Sequence, residues 1–345
     1  MTALDLIRAS ALAALAGERA GMTSAEIERR LCTAGVSPTA ASAATEALVG
    51  EGLACTRDGL LRLAPSGMSA LLDFHAALTA ALDPSPSRPG EETCPSVPWL
   101  TTVQTCWIDA VSINYAVDPE VLARELPAPL EPELHKGSAW VQVLVSSLRE
   151  MRPQGLPSLF GVSFYQASYR AAVICRGRDG RTRRGGFFVR SETNDPVMRA
   201  VGNTLAEFKY HDFGAAEMVM LRDGDRLTVG IDPSQEGGHP GGKLVGIFDT
   251  RPQDAPPPGS VWSSLEDLFE PLVECYDAFG VDPSGPWLYV LTIDRGPWNA
   301  RFVRPEHLYC ELAETGPYAG AARLDSVLHI RECPYRWRPL RRERL

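Results

Sequence analysis

Residues 106–157 read CWIDAVSINYAVDPEVLARELPAPLEPELHKGSAWVQVLVSSLREMRPQGLP. Strand-like alternation at about 105–115 and again at 139–149 brackets a short helix over Asp118–Leu126. Pro119 sits at the start of that helix, where its missing N–H has no intrahelical partner to disappoint, and Pro127 lies beyond its end. Strand, short helix, strand opens a sheet, not a helical bundle.

Downstream the same signature recurs. Alternation returns at about 162–175, 186–191, 207–221, 226–231, 243–249, 286–294, 308–313 and 322–337. Turn signals such as Arg178-Asp179-Gly180 and Arg222-Asp223-Gly224-Asp225 separate several of these runs. One further helix is expected over Ser263–Phe279, opened by a capping box (Ser263, Glu266), kinked at Pro271 and stopped by Gly280. Many strands and few helices predict a closed or nearly closed, mostly antiparallel sheet over 99–345.

Upstream the period changes. Residues 83–98, DPSPSRPGEETCPSVP, carry no periodicity and read as a linker. Residues 1–82 predict helices over about 3–15, 23–34 and 37–51, a hairpin with Leu53–Thr56 and Leu60–Leu63 around Asp58-Gly59, and a last helix from Pro65 to about Leu82. Thr23 and Glu26 form a capping box, and Ser37 caps a helix with Pro38 at its first position. Helix, helix, helix, hairpin, helix is the order of a winged helix-turn-helix. The fold class is therefore α+β: a small α-rich winged-helix domain over 1–82, a linker over 83–98, and a β-cone or barrel domain over 99–345.

Composition bounds the function. The 345 residues are 44% hydrophobic and 22% charged, as in soluble globular proteins. No run of 18 apolar residues occurs, and the N-terminus reads as a helix, not a secretion signal. A cytoplasmic protein with no membrane partner is expected. The net charge of −9 disfavours a phosphate-backbone binder. Lysine occurs only at 136, 209 and 243. The eight cysteines form no CxxC pair and the six histidines no HxH, HxxH or HxxxH spacing. Neither a disulfide framework nor a metal site is predicted, and no phosphate-cradling glycine loop is present.

The first domain resembles the winged helices of the multiple-antibiotic-resistance-regulator type, on MTSAEIERRL (22–31), ATEALVGEGLA (44–54) and GLLRLAPSGMSAL (59–71). The recognition helix, PTAASAATEALV, lacks a basic residue, and only Arg57 and Arg62 on the wing are candidates for DNA contact. Dimerisation or domain packing is the favoured role of this domain, with a homodimer expected.

The second domain resembles an uncharacterised branch of the acetoacetate decarboxylase-like superfamily, domain of unknown function 2071. The resemblance rests on the 106–157 stretch and on SFYQASYRAAV, GGFFVRSETN, FKYHDFGAAEM, SLEDLFEPLVECYDAFGV, RGPWNA and YRWRPL, in that order. It implies a β-cone with a small-molecule pocket. The decarboxylase uses a Schiff-base lysine beside a glutamate. Here the matching positions hold Tyr210, with Lys209 one residue earlier and so on the opposite strand face, and Gln166. A neutral amide is no general base. Arg170 matches an arginine common in the branch and suits a carboxylate clamp. Where the branch tends to show His, this chain has Asp294-Arg295-Gly296-Pro297-Trp298.

The expected activity is thus a lyase- or isomerase-like step on a small carbonyl or carboxylate compound, without a lysine imine and without a cofactor. The candidate catalytic residues are His211, Tyr210 and Arg170, with His211 the best acid–base group. The candidate ligand-binding residues are Gln166, Arg170, Tyr210, Trp107, Trp140 and Trp298. Glu192, Asp195 and Glu217 read as surface or hairpin acids, and the basic tail from Arg336 as a solvated chain end. The alternative is a ligand-responsive transcriptional regulator, with an effector-binding cone and a DNA-binding winged helix.

Overall fold

The computed structural model describes residues 11–12, 15, 22–33, 37–67, 70, 102–154, 161–176, 180–196, 198–199, 203, 213–234, 241–274, 276–281, 287–296, 298–338 and 341–344. The chain clusters into two compact units, Met1–Thr105 with Arg149–Ser163, and Cys106–Leu148 with Phe164–Leu345. The expected linker at 83–98 lies outside the described residues.

In the first unit, helix α1 spans Ser24–Thr33 and α2 spans Pro38–Gly50. Thr23 Oγ1 accepts from the Glu26 N–H at 3.2 Å, and Ser37 Oγ from the Ala40 N–H at 3.3 Å, so both predicted caps form. Strands β1 (Ala54–Arg57) and β2 (Leu60–Leu63) pair as an antiparallel hairpin. Asp58 and Gly59 take φ of 55° and 75° at its turn, the left-handed pair that the Asp-Gly signal predicts. Leu61 also bridges to Met22. Ile27, Leu31, Ala44, Leu48 and Leu61 are buried together with Ala11, Leu12 and Leu15, which are helical.

The second unit holds most of one 13-stranded sheet. Its strands are β3 (Val103–Val117), β4 (Leu130–Pro132), β5 (Ala139–Pro153), β6 (Val162–Arg176), β7 (Thr182–Thr193), β8 (Phe213–Asp223), β9 (Arg226–Pro233), β10 (Leu244–Gln253), β11 (Asp277–Val281), β12 (Trp287–Arg295), β13 (Ala300–Cys310), β14 (Ala322–Trp337) and β15 (Arg341–Arg344). The pairing closes on itself. From β12 it runs through β11, β7, β8, β9, β10, β13 and β14, and β14 pairs back to β12. A second path joins β7 to β14 through β6, β5 and β3. Among the described residues, closure leaves only the short strands β15 and β4 with a single neighbour each, in keeping with the nearly closed sheet that the alternating strands predicted. Strand β7 changes partner along its length. On β7, Gly186 and Phe187 pair in parallel with β11, whereas Ser191–Thr193 pair in parallel with β8. The β4–β6, β6–β7, β8–β9, β9–β10, β10–β13, β11–β12, β12–β14, β12–β15 and β13–β14 pairs are antiparallel.

Helix α3 covers Pro119–Glu125, with Asp118 as its cap, accepting from the Glu120 N–H at 2.8 Å. Three expectations fail in detail. The helix over Ser263–Phe279 is a single turn α4 (Leu265–Leu268) continued by a π-helical turn Phe269–Val273, and 277–281 is strand β11. Pro271 has no N–H to donate, so the chain widens instead of continuing: the Glu274 N–H reaches back five residues to Phe269 O. The cap is also shifted by one residue, Ser264 accepting from the Asp267 N–H at 3.2 Å. The run 308–313 ends as strand at Cys310 and becomes helix α5 (Glu311–Glu314). Finally, the chain end is not simply solvated, since β15 pairs Arg341–Arg344 with Val290–Trp287.

Candidate functional site

Alternation along four neighbouring strands sorts apolar from polar side chains. Val111, Ile113 and Tyr115 of β3, Val141, Val143 and Val145 of β5, Ala167, Tyr169 and Ala171 of β6, and Val327 of β14 enter one hydrophobic core. The other parity holds one apolar residue, Leu144, and seven more that face away from the core: Ser112 and Asn114, Gln142, Gln166, Ser168 and Arg170, and Ser326. All seven are polar, and all are at least nine-tenths buried. The strand order β14-β3-β5-β6 sets them side by side.

They form a directional hydrogen-bond relay. Arg170 donates through Nε (3.1 Å) and Nη2 to Gln142 Oε1. That fixes the amide, so Gln142 Nε2 donates to Asn114 Oδ1 at 2.9 Å and to Ser112 Oγ at 3.3 Å. Ser112 Oγ also donates to Asn114 Oδ1 at 3.0 Å, and Asn114 Nδ2 donates to Ser326 Oγ at 3.2 Å. Gln166 Nε2 donates to Ser168 Oγ at 2.9 Å beside it. A buried charge costs several kcal/mol unless it is paired or well solvated by dipoles. Arg170 is held by dipoles: Gln142 Oε1 and, at 2.8 Å, Leu272 O. No described carboxylate pairs with it.

A second guanidinium lies on the adjoining carbonyl. Arg295, at the end of β12, donates through Nη2 to Val273 O. Burial pushes it below the ordinary arginine range, and the nearby Arg170 pushes the same way. Its guanidinium lies over the rings of Trp298 (4.6 Å) and Tyr276 (5.1 Å). Trp107 stacks on Tyr335 at 4.7 Å and meets Trp298 at 5.6 Å. The Trp298 indole N–H is buried with no hydrogen-bond partner among the described residues.

Glycine makes room for the first arginine. A Cβ on Gly186 would sit 2.5 Å from Arg170 Cδ. The β6–β7 register also slips between Tyr169 and Arg170.

Of the predicted site residues, Gln166 and Arg170 share the polar face. Trp298 lies under Arg295, and Trp107 packs on Trp298. Trp140 is buried but spends its N–H on His135 O at 3.0 Å and packs on Trp262. Tyr210 and His211, with Lys209, lie outside the described residues. Lys136 and Lys243 are about half exposed and ion-paired to Asp267 (3.2 Å) and Asp232 (3.7 Å). Glu217 is exposed, but Glu192 and Asp195 are buried, against expectation. Glu192 lies opposite Ala167 on the core side of β7, and Asp195 Oδ1 caps the Met198 N–H. On the wing, Arg57 is exposed beside Asp58, whereas Arg62 Nε is buried with no hydrogen-bond partner among the described residues. The exposed positions of α2 are Pro38, Thr39, Ala43, Glu46, Val49 and Gly50. Among the described residues, no group of three His, Cys, Asp or Glu is placed to hold a metal, and no helix is long and apolar enough to cross a membrane.

Reading the sequence for site residues missed Gln142, Asn114, Ser326 and Arg295. The signal was present for the first three: amides and hydroxyls at one parity of strands whose other parity is Val, Ile and Ala.

The family described as "Uncharacterized conserved protein", domain of unknown function 2071, matches residues 104–329. No curated protein matches the chain. Among solved structures, acetoacetate decarboxylase from Legionella pneumophila is similar at 17% identity, covering 75% of this chain and 97% of that one, with a TM-score of 0.45. An acetoacetate decarboxylase-like enzyme from Sphingomonas wittichii is similar at 13% identity, covering 74% and 100%, with a TM-score of 0.44. The enduracididine biosynthesis enzyme MppR, complexed with pyruvate, is similar at 15% identity, covering 74% and 94%, with a TM-score of 0.45.

Proposed function

The chain belongs to the domain of unknown function 2071 family, and from that premise we propose that its large sheet unit is a small-molecule enzyme acting on a carbonyl or carboxylate compound. The observation that carries the reading is the state of Arg170. It is buried, fixed by two neutral carbonyl-type acceptors, and paired with no described carboxylate. A guanidinium kept charged and out of water is poised to bind an anion, because the ligand supplies the counter-charge that the protein withholds. The Nη1 group of Arg170 makes no hydrogen bond to a described residue, which leaves a donor edge for a carboxylate.

The chemistry we assign is a lyase- or isomerase-like proton transfer, with His211 and Tyr210 as the acid–base pair. It does not pass through a lysine imine. Lys136 and Lys243 are wet and ion-paired. Gln142 and Gln166, both amides, offer no carboxylate to relay a proton. The helix-helix-hairpin unit we read as a winged helix used for dimerisation, because α2 exposes no basic residue and half of the predicted wing pair is buried at Arg62 Nε.

The test is incubation of the purified protein with short 2-oxo acids in deuterated water, followed by proton NMR. The reading expects hydrogen exchange beside the carbonyl or loss of carboxylate, abolished in Arg170→Gln and His211→Ala. Borohydride trapping with the same acids should leave the intact mass unchanged. A stable adduct on Lys209 would instead restore the imine route.

A further inference from the structure

Arg170 and Arg295 arrive from different strands, β6 and β12, yet donate to successive carbonyls of one π-helical turn, Leu272 O and Val273 O. Both are largely buried, and no described carboxylate pairs with either. Two like charges held this close repel, and a folded protein tolerates that only where something offsets it. Each guanidinium is anchored mainly by its Nη2 edge: Arg295 Nη1 makes only a long contact of 3.4 Å to Gly296 O, and Arg170 Nη1 makes no hydrogen bond to a described residue. Two forks, each with an edge to spare, match two planar carboxylates better than one tetrahedral phosphate. Arg295 lies over Trp298, which meets Trp107, itself stacked on Tyr335, so an aromatic cluster adjoins the second guanidinium. The buried Trp298 N–H, with no partner among the described residues, is a further donor.

We propose that Arg170 and Arg295 together form a two-guanidinium site for a short dicarboxylate, with Arg295 as the residue that selects a dianion over a monoanion. This rests on the reading of Arg170 as an anion-binding residue and names the substrate class of that same site.

The test is calorimetric titration with succinate, butyrate and inorganic phosphate, in the wild type, Arg295→Gln, Arg295→Lys and Arg170→Gln. A charge-assisted carboxylate contact contributes about 1.5–3 kcal/mol, or roughly tenfold to a hundredfold in affinity. Succinate is therefore expected to bind at least tenfold more tightly than butyrate in the wild type. Arg295→Gln should bring the two within about threefold of each other, through a loss of succinate affinity larger than any change for butyrate, and Arg295→Lys should keep part of the preference. Thermal melting of each variant reports folding independently. Equal succinate and butyrate affinities in the wild type, both lost in Arg170→Gln, overturn the dianion proposal and leave the Arg170 reading standing. Phosphate binding without succinate binding also overturns it. No binding of any probe overturns both.

Discussion

Arg170 turns two of its nitrogens onto the single Oε1 of Gln142, and that contact sets the direction of every hydrogen bond behind it. Because a guanidinium only donates, Gln142 must present oxygen to it and nitrogen to Asn114. The amide thus solvates the charge without cancelling it.

Replacing that amide by a carboxylate should convert the pair to an internal salt bridge. Gln142→Glu is expected to fold and to lose anion affinity by at least tenfold, because Arg170 is then already paired. Gln142→Leu leaves the buried Arg170 with Leu272 O alone and takes one donor from Asn114 Oδ1, and should cost about 2–4 kcal/mol of stability. Urea unfolding and ligand titration separate the two effects.

Gly186→Ala places a Cβ 2.5 Å from Arg170 Cδ. The stem of the arginine must shift, and overpacking of this kind costs about 1–3 kcal/mol. We expect a lower melting temperature together with weaker anion binding. Gly259→Ala, where no neighbour lies near but φ is 84°, should strain the backbone without touching ligand affinity.

Much of this fold was legible in alternation and turn chemistry. The hairpin around Asp58-Gly59, the cap at Ser37, the Asp118 helix and nine of the strands follow from local rules. What failed was local structure overruled by long-range pairing. Residues 277–279 are expected from the sequence to end a helix, yet 277–281 bond β12 on one side and β7 on the other. Arg341–Arg344 look like a charged tail, yet they complete a ladder on β12. The site was half legible. Arg170 and Gln166 stood out on one strand, but the meeting of Arg170 with Arg295 depends on sheet closure, which no local pattern encodes.

Acid should unfold the protein partly through Asp109. Burial opposes its ionisation, but hydrogen bonds from His329 (2.7 Å) and Arg222 (2.7 Å to Nη2) outweigh that and hold its carboxyl below the ordinary range. A depressed carboxylate contributes stability above its unfolded value, near 3.9, and loses it as pH falls through the folded value. Melting temperatures from pH 6 down to pH 2 should therefore fall more steeply in the wild type than in Asp109→Asn.

The first unit should not bind DNA specifically. Its α2 exposes no arginine, lysine, asparagine or glutamine, and Arg57 stands beside Asp58. Anisotropy titration with DNA from upstream of its own coding region is expected to show only weak binding, without sequence preference, that fades with salt. Nanomolar binding abolished by Arg57→Ala would favour a regulator.

The central claim is that Arg170 receives a ligand carboxylate, and a co-crystal structure with 2-oxobutyrate at neutral pH tests it most directly. The account predicts the carboxylate within hydrogen-bond distance of Arg170 Nη1, with Gln142 Oε1 still on Nε. A structure with 2-oxobutyrate bound elsewhere, and Arg170 touching only Gln142 and Leu272 as it does now, would contradict it.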